Sequence, residues 1–315
     1  MNNILIIAKM NLFKKENSQN RFNLLNFLNT KENICVIEDN SQNINLLLQK
    51  MKFKPNIIMY YCLGIADKWH DIKMKGLETV DIPTYLFYED YHGTQQILST
   101  YEKYNFKALV VPSNNYTILQ NYTPHKIPIK IWGYYINTLD FCIRNKPKQY
   151  DILLYGLISP AYPLRYKIYN CLKKIKKQYP RYRIKHIKHH GFNNFSPNLP
   201  RGKDLSILLN QSKFAIATSS CYNLFLKKYI EIPLSGCYLV GDIPEGHGDK
   251  LKNNIIEIKQ NANEKAIITI LLAILQGKAD HLLNKKKIND YAVNLSKKYS
   301  FESGYNKLCE IFNSV

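Results

Sequence analysis

Residues 212–245 read SKFAIATSSCYNLFLKKYIEIPLSGCYLVGDIPE. The run 214–218 is short and apolar, as a buried parallel strand is. A helix-length segment follows over 223–235, closed by Gly236, and 237–240 reads as the next strand. Strand, helix, strand in that order is a βαβ unit. In parallel sheets ligands bind beyond the carboxyl ends of the strands, near helix starts. Thr218, Ser219 and Ser220 fall in that zone, with Lys228 and Glu231 beside it. These last two stand three apart and share one helix face. A cation suits phosphate and a carboxylate suits ribose hydroxyls, so together they fit a nucleoside diphosphate. A solvated i,i+3 ion pair is the plainer reading of the same spacing.

Outward from this unit the alternation continues. A strand is expected over 151–155 with Gly156 behind it, a basic amphipathic helix over 164–177, a strand over 182–187 and a helix over 204–211. A short strand over 254–258 follows, then helices over 263–276, 286–298 and 301–312. Ahead of this series, residues 137–150 contain Asn-Lys-Pro-Lys-Gln at 145–149, a polar stretch with proline that reads as a linker. Before the linker lies a second alternating series. Strands are expected over 4–8, 34–38, 56–62, 84–88, 108–111 and 127–134, with helical spacing over 21–28 and 44–51. Such alternation predicts an α/β fold with parallel, doubly wound sheets. The expected domains are 1–140, a Rossmann-like unit, and 151–300, a second one, with a cleft between two such halves as the ligand site. Residues 9–15 after the first strand read as a loop without GxGxxG, which counts against a dehydrogenase.

The 315 residues carry 44 Lys and Arg against 24 Asp and Glu, a net charge of +20. That excess favours nucleic acid, an anionic membrane, or a nucleotide-sugar phosphate as partner. The basic residues are dispersed; the densest runs, 173–183 and 285–287, read as solvated helix faces. No zinc-finger spacing, RNP-type motif or basic tail is present, so no specific nucleic acid is expected. Seven cysteines without a CxxC read as free thiols of a reducing compartment. The apolar run 4–8 is too short for a signal peptide, and 266–275 too short to span a bilayer. The expected location is cytoplasmic, with peripheral contact to an anionic membrane open through the basic residues.

The loop 156–165 offers a second piece of chemistry. Gly156 lets the backbone approach a ligand closely. Pro163 suits the first turn of the next helix, whose start attracts an anion, and Arg165 adds a fixed charge there. An ordinary strand-helix turn would read the same way. His186, His189 and His190 cluster within five residues, but no Cys or carboxylate joins them at a ligand spacing, so no metal is expected.

The segment KYIEIPLSGC at 228–237 resembles the donor-site signature of GT-B glycosyltransferases, and within them the group similar to the spore protein CgeB. That group's pattern is roughly Arg-x-Phe-Glu-Ile-Pro-x-x-Gly. Lys228 stands at the Arg, and Glu231, Ile232, Pro233 and Gly236 match. The resemblance covers mostly residues 151–312, and the group's Arg-starting helix is similar to the segment opening near Arg165. It implies two Rossmann-like domains facing a cleft, with residues 301–315 crossing back to the first. It further implies sugar transfer, hexosyl or deoxyhexosyl, from a UDP- or GDP-sugar to a hydroxyl of a glycan, lipid-linked or protein acceptor. The implied donor-side residues are Gly156, Arg165, Ser219, Lys228, Glu231 and Gly236, and those at the acceptor hydroxyl are Asp90 and His92. No cofactor is implied, and the chain has no Asp-x-Asp of the kind that holds a metal in GT-A enzymes. Two departures stand out. Asn223 occupies the position eight before Glu231 where a large retaining group has Glu, and Lys227-Lys228 replaces the Glu-Lys pair of fucosyltransferases, although Lys228 and Gly236 keep their spacing. A sugar-nucleotide epimerase of the same shape, a degenerate transferase that only binds, and a non-enzymatic protein binding nucleic acid or anionic lipid are the rival readings.

Overall fold

Short apolar runs become the central parallel strands here because those strands are covered on both faces, while the edge strands are only partly buried. The computed structural model describes residues 2–15, 19–62, 72–89, 94–112, 127–188 and 199–313. In the first half the strands are β1 (Ile4–Ala8), β2 (Ile34–Glu38), β3 (Ile57–Cys62), β4 (Thr84–Tyr88), β5 (Ala108–Val111) and β6 (Ile129–Ile131). They form one parallel sheet in the order β2-β1-β3-β4-β5-β6. All residues of β1, β3 and β4 are buried. The intervening helices are α1 (Met10–Lys15), α2 (Gln19–Leu28), α3 (Ile44–Lys50) and α4 (Thr94–Lys103). Asn43 caps α3 by accepting from the amides of Asn45 and Leu46. The stretch 9–15, expected as a loop, forms α1 instead. Phe13 explains the difference: it fills a core site, fully buried, edge-on to the Tyr61 ring at 5.7 Å.

The second half repeats the scheme: β7 (Tyr150–Gly156), α5 (Pro163–Gln178), β8 (Ile184–Lys188), α6 (Gly202–Asn210), β9 (Ser212–Ala217), α7 (Lys228–Leu234), β10 (Tyr238–Gly241), α8 (Gly248–Leu251), β11 (Ile255–Glu257), α9 (Glu264–Leu275) and α10 (Lys285–Tyr299). Its strands are parallel in the order β11-β10-β9-β7-β8. Leu164, Ile168, Cys171, Leu172 and Ile175 of α5 pack on Ile152 and Leu154 of β7. The helix expected over 223–235 is only α7. Asn223 adopts φ +55, a left-handed turn that stops a helix from starting there. Leu224 and Phe225 bury their side chains in the non-helical approach.

The chain divides into two compact units, Met1–Tyr135 with Phe301–Val315, and Ile136–Ser300. The closing helix, α11 (Phe301–Asn313), belongs to the first unit. Its Leu308, Ile311 and Phe312 join the core over β1, β3 and β4, and the Trp132 indole donates to the Gly304 carbonyl at 2.8 Å. Residues 137–149 lie within the second unit. There Arg144 donates to the carbonyls of Leu139, Asp140 and Cys142 and to the Ser206 hydroxyl, fastening the stretch to α6.

Candidate functional site

β7 ends at Gly156 with φ +95, a conformation natural to glycine. A side chain at this position would put its Cβ 2.5 Å from the Lys228 Nζ and 3.3 Å from the Arg165 Nη1. Two cations from different helices thus converge on the bare α-carbon that closes β7. Arg165 comes from the first turn of α5 and is 2 % exposed. Its guanidinium donates to the hydroxyl and carbonyl of Thr218 and to the Leu157 carbonyl, and lies over the Tyr162 ring. Burial lowers its pKa, yet an arginine starts so high that it stays charged. Lys228 opens α7 and donates to the Tyr155 carbonyl, with its Nζ 3.8 Å from the centre of the Tyr155 ring. Burial, with the Arg165 charge added, holds the Lys228 ammonium well below the usual lysine range; Glu231 acts in the opposite direction. Among the described residues no carboxylate lies within salt-bridge distance of either cation.

Glu231, one turn after Lys228, accepts from the Tyr155 hydroxyl at 3.1 Å. Burial, helped by Glu231, raises the Tyr155 phenol well above the usual tyrosine range, so it remains a donor. The i,i+3 pair therefore does not close on itself as a surface ion pair. Both members reach the same tyrosine, one its carbonyl and ring, the other its hydroxyl.

Ser219 stands two residues beyond β9. Its amide donates to Asp242 at 2.9 Å and its hydroxyl also donates to that carboxylate. The Tyr229 hydroxyl donates to Asp242 at 2.7 Å, and the Gln260 amide donates to the Ser219 oxygen at 3.2 Å. Asp242 itself is 3 % exposed, a buried carboxylate balanced by three donors. The junction exists because Gly241 pairs with Ala217 so closely that a Cβ there would fall 1.6 Å from the Ala217 carbonyl oxygen. Asp242 thereby ties the loop after β9 to the first turn of α7.

Of the residues singled out in the sequence, Gly156, Arg165, Lys228 and Glu231 come together around Tyr155, and Ser219 joins through Thr218 and Asp242. Gly236 lies past the far end of α7, where its φ of +66 ends the helix and its carbonyl accepts from Lys148. Asp90 and His92 lie outside the described residues, as do His189 and His190. Their neighbour Glu89 is buried and paired with Arg21. His186 sits in β8 against the Tyr169 ring. Sequence reasoning overlooked Tyr155, Asp242 and Tyr229. Asp242 carried a usable signal, an Asp directly after a strand that ends in Gly; a tyrosine inside an apolar strand carried none.

No protein-family model and no curated protein sequence matches the chain. Solved structures do. Anabaena HepE (Alr3699), determined in complex with UDP-glucose, superposes with a TM-score of 0.59 at 11% identity, over 99% of this chain and 100% of that one. A glycosyltransferase from Rickettsia africae gives 0.59 at 14% identity over 99% and 98%. The chain has the GT-B glycosyltransferase fold. The pneumococcal O-GlcNAc transferase GtfA, in complex with UDP and GlcNAc, shares this fold at a TM-score of 0.52 and 12% identity. There the match covers 82% of this chain but only 56% of GtfA. Among the described residues of this GT-B chain, no group of three or more His, Cys, Asp or Glu is placed to hold a metal. Nor is any described helix long and apolar enough to cross a membrane.

Proposed function

We propose that the chain transfers a hexosyl or deoxyhexosyl group from a nucleoside-diphosphate sugar to an acceptor hydroxyl, without a metal. The observation that carries this reading is the convergence of Lys228 and Arg165 on Gly156, with no carboxylate among the described residues bridging them. Two such cations at the end of a parallel strand form an anion site of diphosphate character. In the reaction the acceptor oxygen bonds to the anomeric carbon as the bond from that carbon to the diphosphate breaks. Negative charge then builds on the departing phosphate, and Lys228 and Arg165 are preorganised to meet it. Glu231 accepts from the ribose hydroxyls, with Tyr155 holding its carboxylate in place. Ser219 borders the phosphates, Asp242 fixing its position, and Gly236 serves by ending the helix that presents Lys228 and Glu231.

Asp90 and His92 are the proposed groups at the acceptor hydroxyl, one of them taking its proton. The nucleotide is UDP or GDP, with UDP the first to try, since HepE and GtfA were crystallised with it or its sugar. The acceptor is a glycan, a lipid-linked saccharide or a protein, and the site of action is cytoplasmic.

The deciding experiment is a thermal-shift and calorimetry panel of UDP, GDP, UDP-glucose and UDP-GlcNAc in excess EDTA. A ligand at 100 times its Kd adds about 2.7 kcal/mol of stability. No stabilisation by any nucleoside diphosphate, or a response that returns only with added manganese or magnesium, counts against the proposal.

A further inference from the structure

No Asp or Glu stands between Asp151 and Asp204, a span that holds α5 and β8. The structure sorts its cations. Arg165 is buried in the anion site, Lys174 pairs with Glu264 at 2.6 Å, and Arg183 pairs with Asp151 at 2.9 Å. Lys167, Lys173, Lys177 and Lys188 are exposed, and among the described residues none has a carboxylate within salt-bridge distance. On α5, Tyr166, Asn170, Lys173 and Lys177 follow at i, i+4, i+7 and i+11, a single stripe opposite the face that packs on the sheet. Lys167 and Lys174 flank it. β8 is the edge of its sheet, and Lys188 shares parity with Ile184 and His186, which face α5 through the core and Tyr169.

We propose that this face, the solvent side of α5 with the adjoining end of β8, docks on an anionic phospholipid surface. Like charges kept side by side without counterions destabilise a fold, so a cluster of them is best matched by an external anionic plane. Lysine on an edge strand also deters strand pairing, which would explain Lys188 alone but not the helix stripe. The chemistry on the face separates lipid from nucleic acid. The free cations of the helix stripe and of Lys188 are lysines, compact charges suited to headgroups; Arg165 and Arg183 are engaged elsewhere, and the exposed Arg181 lies past the end of α5 against the Tyr182 ring. Tyr166, 48% exposed, is the one aromatic among the large apolar side chains that stand exposed in the described residues. A lone tyrosine suits the bilayer interface, whereas single-stranded nucleic acid calls for a row of stacking platforms. The proposal concerns the second unit only and does not depend on sugar transfer.

The test is co-sedimentation of the full chain with phosphatidylcholine vesicles, with and without phosphatidylglycerol. The wild type is expected to bind only the anionic vesicles and to lose them when salt rises from about 0.1 to about 1 M. A triple variant Lys167→Glu, Lys173→Glu, Lys177→Glu is expected to bind at least tenfold more weakly, since each juxtamembrane lysine contributes roughly fivefold. The milder Lys→Gln triple should fall between it and wild type, and thermal unfolding checks that both are folded. An equal charge change on exposed lysines outside α5 and β8, Lys52→Glu, Lys75→Glu, Lys107→Glu, should shift binding less than about threefold. Absence of wild-type binding overturns the proposal, as does an equal loss in both glutamate triples. Retention of a single-stranded oligonucleotide in preference to anionic vesicles also overturns it, assigning the face to nucleic acid.

Discussion

The ammonium of Lys228 lies 3.8 Å from the centre of the Tyr155 ring and donates to that residue's own carbonyl oxygen. A ring face and a carbonyl dipole occupy the place that a carboxylate would take in an ordinary ion pair. Lys228 is thereby fixed in position with no carboxylate partner among the described residues to displace, and an arriving anion meets an amine that is already aimed.

If that cation meets phosphate, Lys228→Ala removes a charge-assisted bond of roughly 1.5–3 kcal/mol, or about 10- to 150-fold in nucleoside-diphosphate affinity. Glu231→Ala should weaken binding as well, and Glu231→Gln less, because an amide oxygen still accepts one ribose hydrogen bond. Calorimetric titration of the three variants decides the matter. Unchanged affinity in both alanine variants would remove α7 from the donor site.

Two glycines of the same unit should behave differently. Gly156→Ala forces a side chain onto the two cations at positive φ, so it should cost on the order of 1–3 kcal/mol of stability and weaken nucleotide binding together. Gly236→Ala meets Ile143 at 3.2 Å at the other end of α7. It should reduce stability similarly while leaving the affinity of the folded protein near wild type. Loss of affinity only in the Gly236 variant would reverse the assignment.

Binding should draw in a proton. In the free protein burial and Arg165 hold Lys228 well below its usual range, so the group gives up its proton below the pH at which an exposed lysine would. A dianion beside it favours the charged form and raises the value again. Between those two values the complex holds more protons than the free partners, and affinity falls as pH rises through that window. Calorimetry above pH 7 in buffers of different ionisation enthalpy measures the uptake, which Lys228→Met should abolish. Proton release on binding would contradict this account.

Asp242 should matter more to stability than any surface pair. Asp242→Ala strands the buried Tyr229 hydroxyl and the Ser219 amide and hydroxyl, at about 1–3 kcal/mol for each group left unpaired. Asp242→Asn keeps one acceptor oxygen and should cost less. Glu264→Ala, which breaks an exposed pair with Lys174, should cost little. Urea unfolding ranks the three, and an Asp242→Ala loss no larger than that of Glu264→Ala would refute the ranking.

The sheets were legible because burial on both faces demands continuous apolar runs, and Ile4–Ala8, Thr84–Tyr88 and Ala108–Val111 are such runs with polar or proline neighbours. Helix beginnings were less so. Asn223 gives no sign in the sequence that it will turn left-handed, and Phe13 reads as part of a polar loop until a core site appears for it. For the candidate site, strand ends pointed to Gly156 and Ser219, and helical spacing to Lys228 and Glu231. Spacing did not reveal that the latter two meet through Tyr155, because β7 and α7 are far apart in sequence and pack only in three dimensions.

The closing helix has a consequence on the ribosome. Leu308, Ile311 and Phe312 fill the core of a unit whose remaining residues, Met1–Tyr135, are synthesised first. That early half must wait, its apolar sheet face uncovered, while residues 136–300 emerge and become free to fold. Chaperone holding during translation should therefore concentrate on nascent chains longer than the first 135 residues but not yet carrying Phe301–Asn313.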